Sequence, residues 1–488
     1  MKKWKLIPIT IASTAIISLS IMTIACNNSK VNKKSIDQLN TNPIDLNKKP
    51  TKQINTKSKN PEVSITNKEL TEKLISYGLN ELTAYELGDW LGNELKNGEE
   101  FLTQLKDQIQ NPDKYYKLNE SNVLKSLSYE WENLKILYIP DAVDIDFDIR
   151  QISLKKHNDK ISNLEILILP NLRVINDFFN ATGPESKSNL KNIYAPKLKE
   201  IDRNAFWNTK LTHVDFPELE KIEPYAFTKS NLQSINAPKL KEISGDPFDR
   251  TPFLEKNKKI IFNNSILIKY DNSLIPENGI VNLPENIEVI SDGVFSQKEK
   301  IKQINALGVV KIGASAFLSS KLELINAPKL KVIGDRSFAY TKLTHVGFPE
   351  LEKIGRYAFE ESNLESINAR KLKVIGDSSF ARNKLTHVDF PELEKIGRYA
   401  FEESNLESIN APKLKLIGIG SFAYTKLTQT NFPELEKIGT SAFRGSNLKK
   451  INVPKLKEIG TDAFESTPKE KELYKMINEQ ISKNKNEE

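Results

Sequence analysis

The chain has 488 residues, of which 38% are hydrophobic and 28% charged, with 20 glycines, 23 prolines and one cysteine. This composition excludes collagen-like, wholly disordered and multi-span membrane proteins, and a single cysteine excludes a disulfide framework or a cysteine-based zinc site. The formal net charge is +7, but the positive excess lies in residues 1–60 and residues 61–488 are slightly acidic. A nucleic-acid partner is therefore not expected, because it requires basic charge on the folded surface.

Residues 1–25 have the pattern of an export signal. Three lysines precede an uncharged apolar run over residues 6–25, and Cys26 follows this run directly. A basic head before an apolar stretch is typical of a secretion signal. An uncleaved membrane anchor is the alternative, because about 20 apolar residues are enough to span a bilayer. Both interpretations place the rest of the chain outside the cytoplasm.

The junction at Cys26 resembles the lipobox of bacterial lipoproteins. A small residue, Ala25, precedes the cysteine, although Thr23 stands where that family usually has leucine. The resemblance implies that the Cys26 sulfur receives a diacylglyceryl group and becomes the first residue of the mature protein. Two acyl chains give stable anchoring where one is marginal. The expected location is the extracellular face of the cell membrane, with the lipid as anchor.

Two segments are predicted between the anchor and the repeats. Residues 26–60 are rich in Asn, Lys, Ser and Thr and have no hydrophobic period, which predicts a flexible tether. Residues 61–133 are predicted to form a small helical domain or cap, with three short helices over 64–128. Thr66 and Glu69 have the spacing of a capping box at the first of these helices.

A 21-residue repeat dominates residues 134–467. Phenylalanine recurs at steps of 21 residues, and the unit around each of these phenylalanines reads roughly L-x-x-I/V-x-F/A-P-x-L-x-x-I-G-x-x-A/S-F. A period of 20–29 residues with a leading leucine is typical of a leucine-rich solenoid, in which neighbouring turns bury one another's apolar edges. The predicted fold class is α+β, with a leucine-rich-repeat β-solenoid of mostly 21-residue coils and a parallel sheet after the helical domain. The phenylalanines that keep this step are Phe206, Phe227, Phe248, Phe317, Phe338, Phe359, Phe380, Phe401, Phe422, Phe443 and Phe464.

Two stretches resemble the unit of BspA-like, treponemal-type bacterial surface leucine-rich repeats. They are LPENIEVISDGVF at 283–295 and IPDAV at 139–143. An insert at about 249–280, with a predicted hairpin at Asn263 and Asn264, fits the same family. The resemblance covers the whole repeat region and implies a non-catalytic surface protein that acts in adhesion or host interaction.

The repeats alternate between acidic and basic versions of one segment. One version reads PELEK and the other PKLK. Adjacent parallel strands lie about 4.8 Å apart, so equivalent side chains stack in columns. Glu350 and Glu352 therefore lie between lysines of the coils on either side, and the alternation replaces like-charge repulsion by exposed ion pairs that help to set the register.

The sequence gives little indication of a catalytic site or a metal site. His345 and His387 are two coils, about 10 Å, apart, which is too far for them to share a zinc ion. Asp144, Asp146 and Asp148 resemble the start of a calcium loop, but their alternation with apolar residues favours a strand with a polar face. The sequence contains no P-loop, HExxH or GxSxG motif. We therefore predict no catalytic residue, no metal and no cofactor.

The concave strand face is the predicted place for binding. The second and fourth residues after each leading leucine are predicted to point outward, and they are mostly His, Asn and Asp. Such a strip can bind a partner through many weak contacts, or it can be a solvated sheet with amide ladders. The candidate binding residues are His213, Asp215, Asn236, Asn326, His345, Asn368, His387, Asp389, Asn410 and Asn431.

The two ends of the solenoid need shielding. In the first coils the same outward columns hold apolar side chains, and exposed apolar patches usually mark an interface. Either the helices of 61–133 cover this patch as a cap, which we favour, or a ligand does. At the other end, the charged residues 468–488 are predicted to form a helix that closes the last coil. The candidate apolar contact patch consists of Ile136, Tyr138, Ile166, Ile168 and Tyr194.

These observations predict a membrane-anchored surface lipoprotein that uses its solenoid to bind a host or environmental macromolecule. The alternative is a structural or antigenic coat protein without a specific ligand. Residues 343–384 and 385–426 are nearly identical, which fits the alternative as well, because duplicated blocks vary the length of a stalk easily.

Overall fold

The computed structural model describes residues 66–94, 98–127, 134–142, 144–145, 163–176 and 188–487. The predicted signal peptide, the tether and the lipidation site Cys26 lie outside the described residues, as do Asp146 and Asp148 of the calcium-loop comparison.

Three helices precede the repeats: α1 (Asn67–Tyr77), α2 (Glu81–Glu94) and α3 (Gly98–Gln110). The predicted capping box is confirmed, since Thr66 and Glu69 exchange side-chain to backbone hydrogen bonds at the start of α1.

The helical pattern expected up to residue 128 ends earlier than predicted. A 3₁₀ turn (Pro112–Lys114) follows α3, and the antiparallel strands Tyr116–Leu118 and Val123–Leu127 come next. Pro112 stops the helix because it lacks a backbone N–H. The side chain of Asn119 then closes the turn by accepting from the backbone of Ser121 and Val123.

The solenoid has one three-residue strand per coil at the leading leucine, here called a face strand. The face strands pair in parallel in groups of two or three neighbours with matching residues aligned, as in His345 with Ser366 and Gly347 with Asn368. The face strands are Ile136–Tyr138, Ile166–Ile168, Asn192–Tyr194, His213–Asp215, Ser234–Asn236, Ile280–Asn282, Gln303–Asn305, Leu324–Asn326, His345–Gly347, Ser366–Asn368, His387–Asp389, Ser408–Asn410, Gln429–Asn431 and Lys450–Asn452.

A second column of two-residue strands, here called flank strands, follows the turn after each face strand. They also pair in parallel from coil to coil. The flank strands are Asp144–Ile145, Val174–Ile175, Glu200–Ile201, Lys221–Ile222, Glu242–Ile243, Val289–Ile290, Lys311–Ile312, Val332–Ile333, Lys353–Ile354, Val374–Ile375, Lys395–Ile396, Leu416–Ile417, Lys437–Ile438 and Glu458–Ile459. The predicted parallel-sheet solenoid with coils of about 21 residues is confirmed.

The repeated phenylalanines form the centre of the core. From Phe295 to Phe464, rings of successive coils stack with centroids 5.1–5.7 Å apart. The leucine, valine and isoleucine positions predicted to point inward are buried as well. Burying each large apolar side chain contributes about 1.5–3 kcal/mol. Because these side chains are buried between neighbouring coils, the stability comes from the stack and not from a single coil.

Close approach of neighbouring coils after the insert depends on the glycine that follows each flank strand from Lys311–Ile312 to Glu458–Ile459. A Cβ on Gly376 would lie 2.6 Å from the carbonyl carbon of Gly355, the equivalent residue of the preceding coil. Backbone atoms cannot give way at that distance. The repeated Ile-Gly pair therefore reflects the spacing of the coils.

The insert interrupts the stack, and its predicted hairpin is confirmed. After a short helix α4 (Pro252–Lys256), the antiparallel strands Lys259–Phe262 and Ile266–Tyr270 turn at Asn263 and Asn264, both in the left-handed region. The second strand then pairs in parallel with Val289–Ile290. A 3₁₀ turn (Asn272–Leu274) leads back to the next face strand.

The insert also divides the hydrophobic core into two clusters. Adjacent residues of one hairpin strand serve different clusters, because Ile266 packs with the coils before the insert and Leu267 with the coils after it. The Asp292 carboxylate joins the two sides by accepting from the backbone N–H of Gly245 at 2.6 Å and of Ala314 at 2.7 Å.

Helix α5 (Glu470–Glu487) packs on the last coil. Leu473 and Ile477 are buried against the core. The Asn484 side chain donates to the backbone carbonyls of Pro454 and Leu456, both at 2.9 Å, so the helix satisfies acceptors at the open end of the solenoid.

Candidate binding face

The outward side chains of the face strands between His213–Asp215 and Lys450–Asn452 form the surface that we call the open strand face. In most of these strands the outer two residues are exposed and the middle one is buried. The structure places all ten predicted binding residues on this surface. Nine of them are exposed, and Asn236 is half-buried.

The fourth-position column forms a discontinuous ladder of side-chain hydrogen bonds. Asn236 donates to Asp215 at 2.8 Å, and Asn410 donates to Asp389 at 2.7 Å. Each bond joins equivalent residues of neighbouring coils and fixes the side chains before any partner arrives. Asp389 also pairs with Arg370 of the preceding coil at 3.6 Å. A carboxylate oxygen has more than one lone pair and can accept further bonds from a partner.

Gly347 interrupts this ladder. A Cβ at this residue would have no atom within 4 Å, so the position is an open notch in the polar strip. The neighbours in the column are Asn326 and Asn368, both exposed. A protruding group of a partner can reach the sheet at this point without displacing a side chain.

The three histidines of the open strand face are exposed and separate from one another. In each, Nδ1 lies 2.9–3.0 Å from the hydroxyl of the preceding threonine, which orients the ring. Within the described ranges, no group of three or more His, Cys, Asp or Glu side chains has an arrangement that could hold a metal ion.

Rows of ion pairs run along the turn between the face and flank strands, as predicted from the alternating segments. Lys371 pairs with Glu350 at 2.7 Å and Lys373 pairs with Glu352 at 3.0 Å, and the same pattern recurs in other coils. The hydrogen bond from Lys373 lowers the pKa of Glu352. Because these pairs are exposed, each contributes about 0–1 kcal/mol, and their alternation disfavours a slipped register.

The apolar patch of the first coils is covered by the three helices. Its residues pack in one cluster with helix residues such as Leu74, Leu91 and Leu105. Ile136, Ile168 and Tyr138 are at most 2% exposed. The helices thus occupy the surface that the sequence left open to either a cap or a ligand.

Tyr194 lies at the border of the covered patch. Its ring contacts Trp90 of α2 with centroids 5.3 Å apart. Burial, together with the nearby Glu86 carboxylate, raises the pKa of Tyr194 to about 12. Ile166, the fifth residue of the patch, is buried beneath the same helices.

Two glutamines of α3 cover the edge of the first face strand. Gln108 donates to the carbonyl of Ile136 at 2.9 Å and accepts from the N–H of Tyr138 at 2.8 Å. Gln104 accepts from the N–H of Lys135 at 2.9 Å. These side chains replace the missing neighbouring strand and protect an edge that could otherwise pair with another chain.

Sequence reasoning did not identify this pair. The available signal was their spacing of four residues on the same helix as Leu105, which places two amides beside the apolar stripe that faces the solenoid. Amides at such positions need partners once they are buried.

No helix in the part of the chain that the structure describes is both long and apolar enough to cross a membrane.

The family model for the BspA type leucine-rich repeat region matches six copies, over residues 152–274, 278–371 and 352–471. Together these matches cover more than half of the chain. The chain belongs to the BspA-type leucine-rich-repeat family. The resemblance noted from residues 139–143 and 283–295 is thereby confirmed.

The solved structures to which this chain is similar include those of three bacterial proteins. A protein from Bacteroides ovatus has 19% identity, covers 72% of this chain and 90% of its own, and gives a TM-score of 0.28. The pneumococcal vaccine antigen PcpA has 16% identity, with 69% and 96% coverage and a TM-score of 0.30. A leucine-rich cell surface protein from Faecalibacterium prausnitzii has 15% identity, with 58% and 93% coverage and a TM-score of 0.26. Among curated protein sequences, none matches this chain.

Membership of this family suggests a protein-binding or adhesion-type role. Leucine-rich-repeat proteins are typically non-catalytic binding proteins, and their strands and turns form an extended surface for a partner.

Proposed function

We propose that this protein is a lipid-anchored surface protein whose open strand face binds a protein on a host or neighbouring cell. The observation that carries the proposal is the change along the face strands. Outward side chains are mostly apolar and covered in the first coils, and they are mostly polar and exposed from His213 to Asn452, with Leu324 as an exposed apolar exception.

The open strand face has the properties of a preformed binding surface. Its face strands pair in groups of two or three, and part of its side chains are fixed by the hydrogen bonds from Asn236 to Asp215 and from Asn410 to Asp389. Such preorganisation lowers the entropy that is lost on binding. Stable protein–protein interfaces bury about 800 Å² per partner, which needs several adjacent coils rather than one.

The binding surface is tested with the full chain and a charge-matched pair of variants. One variant carries Asn326→Lys, Asn368→Lys and Asn410→Lys on the open strand face. The control carries Gln297→Lys, Ser319→Lys and Thr461→Lys, which add the same charge at exposed turn positions.

Both proteins are applied to immobilised host-surface extract, and retention is measured by surface plasmon resonance. The face variant is expected to lose about tenfold or more in affinity, because it places three new ammonium groups in the interface. The control is expected to bind like the parent chain. Equal retention of the two variants would show that the open strand face does not bind.

Lipid anchoring at Cys26 is the second part of the proposal and rests on the sequence. The test is metabolic labelling of the full chain with a radioactive fatty acid in a bacterial host. The parent chain is expected to incorporate label and to sediment with membranes. Cys26→Ser is expected to lose the label, and label retained by Cys26→Ser would contradict the assignment.

A structural coat without a specific ligand is the second candidate, and the near-identity of residues 343–384 and 385–426 favours it. Under this role, removal of one such pair of coils shortens the protein and leaves cell-surface display unchanged. The two candidates differ in the binding experiment, since a coat protein would give no retention for any of the three chains.

A further inference from the structure

The insert leaves a cavity where the two clusters of the core meet. Its volume is about 200 Å³. One water molecule occupies about 30 Å³ in the liquid, so the cavity has room for a larger molecule. It lies between the end of one regular stack of coils and the start of the next. The residues that matter for its chemistry are Asp246, Phe248, Lys269, Tyr270, Ser291 and Asp292.

The cavity carries an excess of negative charge. Four carboxylates line it, those of Asp246, Asp249, Asp271 and Asp292, against the two ammonium groups of Lys269 and Lys298. The Lys269 ammonium is engaged, because it donates to the carbonyl of Leu254. The charge of the lining therefore complements a cation.

Ser291 gives a second and independent indication of a ligand. Its side chain is only 3% exposed, and its hydroxyl has no hydrogen-bond partner. Buried polar groups without a partner are rare in folded proteins. The coils that follow have glycine at the equivalent place, as in Gly313 and Gly334, so among the coils after the insert only the first carries a hydroxyl there.

The walls of the cavity supply apolar contact next to these polar groups. Phe248 is buried and Tyr270 is half-buried, and both rings line the space. Asp246 is exposed, while Asp292 is half-buried and fixed by the backbone of Gly245 and Ala314. A ligand with a short alkyl chain and a charged end would match both kinds of surface.

We propose that this cavity binds a small organic ligand with a primary ammonium group. The carboxylates of Asp246 and Asp292 attract the ammonium, which donates a hydrogen bond to the hydroxyl oxygen of Ser291. The alkyl part of the ligand packs against Phe248 and Tyr270. This site is separate from the open strand face and does not depend on the proposed adhesion function.

The test is isothermal titration calorimetry of the full chain with n-butylammonium chloride. Saturable binding of n-butylammonium is expected, with no binding of sodium butyrate, which has the same alkyl chain and the opposite charge. Calcium chloride is the third titrant. Binding of calcium without binding of n-butylammonium would overturn the assignment of an organic cation.

Two variants locate the binding. Ser291→Ala and Asp246→Asn are each expected to weaken n-butylammonium binding about tenfold, the scale for a hydrogen bond to a charged group. Ser320→Ala is the matched control, since Ser320 is also buried without a partner but does not line the cavity. It is expected to bind like the parent chain.

Folding of the variants is checked by thermal denaturation. Ser291→Ala removes a hydroxyl without a partner, so its melting temperature is expected not to fall below that of the parent chain. Unchanged affinity in both Ser291→Ala and Asp246→Asn, or absence of saturable binding by the parent chain, would refute the site.

Discussion

The first three face strands and the later ones share one backbone design but face different surroundings. Strands Ile136–Tyr138 and Ile166–Ile168 place apolar side chains outward and lie beneath the helices. Strands such as His387–Asp389 place polar side chains outward and leave them exposed. The backbone of the coil is therefore the same whether or not it is covered. The polarity of the outward residues determines whether a face strand packs against the helices or stays exposed.

The difference has two physical causes. First, leaving apolar outward side chains in water is unfavourable by about 25 cal/mol per Å² of exposed apolar surface, so these side chains favour a cover. Second, the first face strand has no neighbouring face strand on one side, and Gln104 and Gln108 hydrogen-bond to the backbone groups of that edge. The later strands before Lys450–Asn452 lie between neighbouring coils, and their outward residues are mostly polar, so neither cause operates on most of them.

The largest effect is expected when the packing of the three helices on the first face strands is weakened. Leu105 is fully buried between the helices and the first strands. Leu105→Ala is expected to lower the local free energy of unfolding by about 2–5 kcal/mol, through lost burial and a residual cavity. Hydrogen exchange should accelerate in the helices and in the first face strands while the later coils keep their protection. Leu82→Ala, at a side chain that is 69% exposed, is the control and should leave exchange unchanged.

The spacing of the open strands is tested by a pair of glycines. Gly376→Ala places a Cβ 2.6 Å from backbone of the preceding coil and is expected to cost about 1–3 kcal/mol. Gly347→Ala, on the open strand face with no atom within 4 Å, is expected to change the free energy of unfolding by less than about 0.5 kcal/mol. Chemical denaturation measures both, and equal effects would contradict the account of coil spacing.

The edge cover is sharpened by comparing two glutamines. Gln108→Ala leaves the carbonyl of Ile136 and the N–H of Tyr138 buried without partners, at an expected cost of about 1–3 kcal/mol. Gln429→Ala removes an exposed glutamine from an open strand and should have almost no effect. If urea denaturation shows the same stability for both variants, the amide pairing does not hold the cap.

The smallest expected effect concerns acid. Hydrogen bonds from Tyr115, Lys114 and Asn111 lower the pKa of Asp107, on α3, to about 2. The unfolded value is near 3.9, so the stabilisation is present above about pH 4 and is lost as the pH falls through about 2. Because Asp107 is partly exposed, the effect is expected to be below about 1 kcal/mol.

Circular dichroism melts at pH 5 and pH 2.5 measure this contribution. The difference in stability between the parent chain and Asp107→Asn should shrink on acidification. A difference that grows at the lower pH would show that the carboxylate is not the stabilising form.

The periodic part of the fold was predictable because every coil repeats the same local signals. The leading leucine, the Phe359-type ring and the Ile-Gly pair each fix one contact with the next coil, and the next coil carries the same signal. The polarity of the outward columns likewise predicted which coils are covered. The hairpin at Asn263 and Asn264 was predictable from two residues that tolerate the left-handed region.

The remaining features depend on single long-range contacts. The pairing of Gln108 with the first face strand joins residues 28 and 30 positions apart, and it has no repeat to announce it. The hairpin over residues 116–127 forms because it pairs with the solenoid through Val123 and Asp144 rather than through any local strand period. Ser291 lines a cavity because the insert places a hairpin, instead of a regular coil, before Val289–Ile290.

The most direct test of the central claim is photocrosslinking from the open strand face. A photoreactive amino acid replaces Asn368 on that face or Ser319 on an exposed turn, in the full chain, and the protein is irradiated on host cells. The account predicts a crosslinked host protein from position 368 and none from position 319. Crosslinks from position 319 alone would contradict it and move the binding surface to the turns.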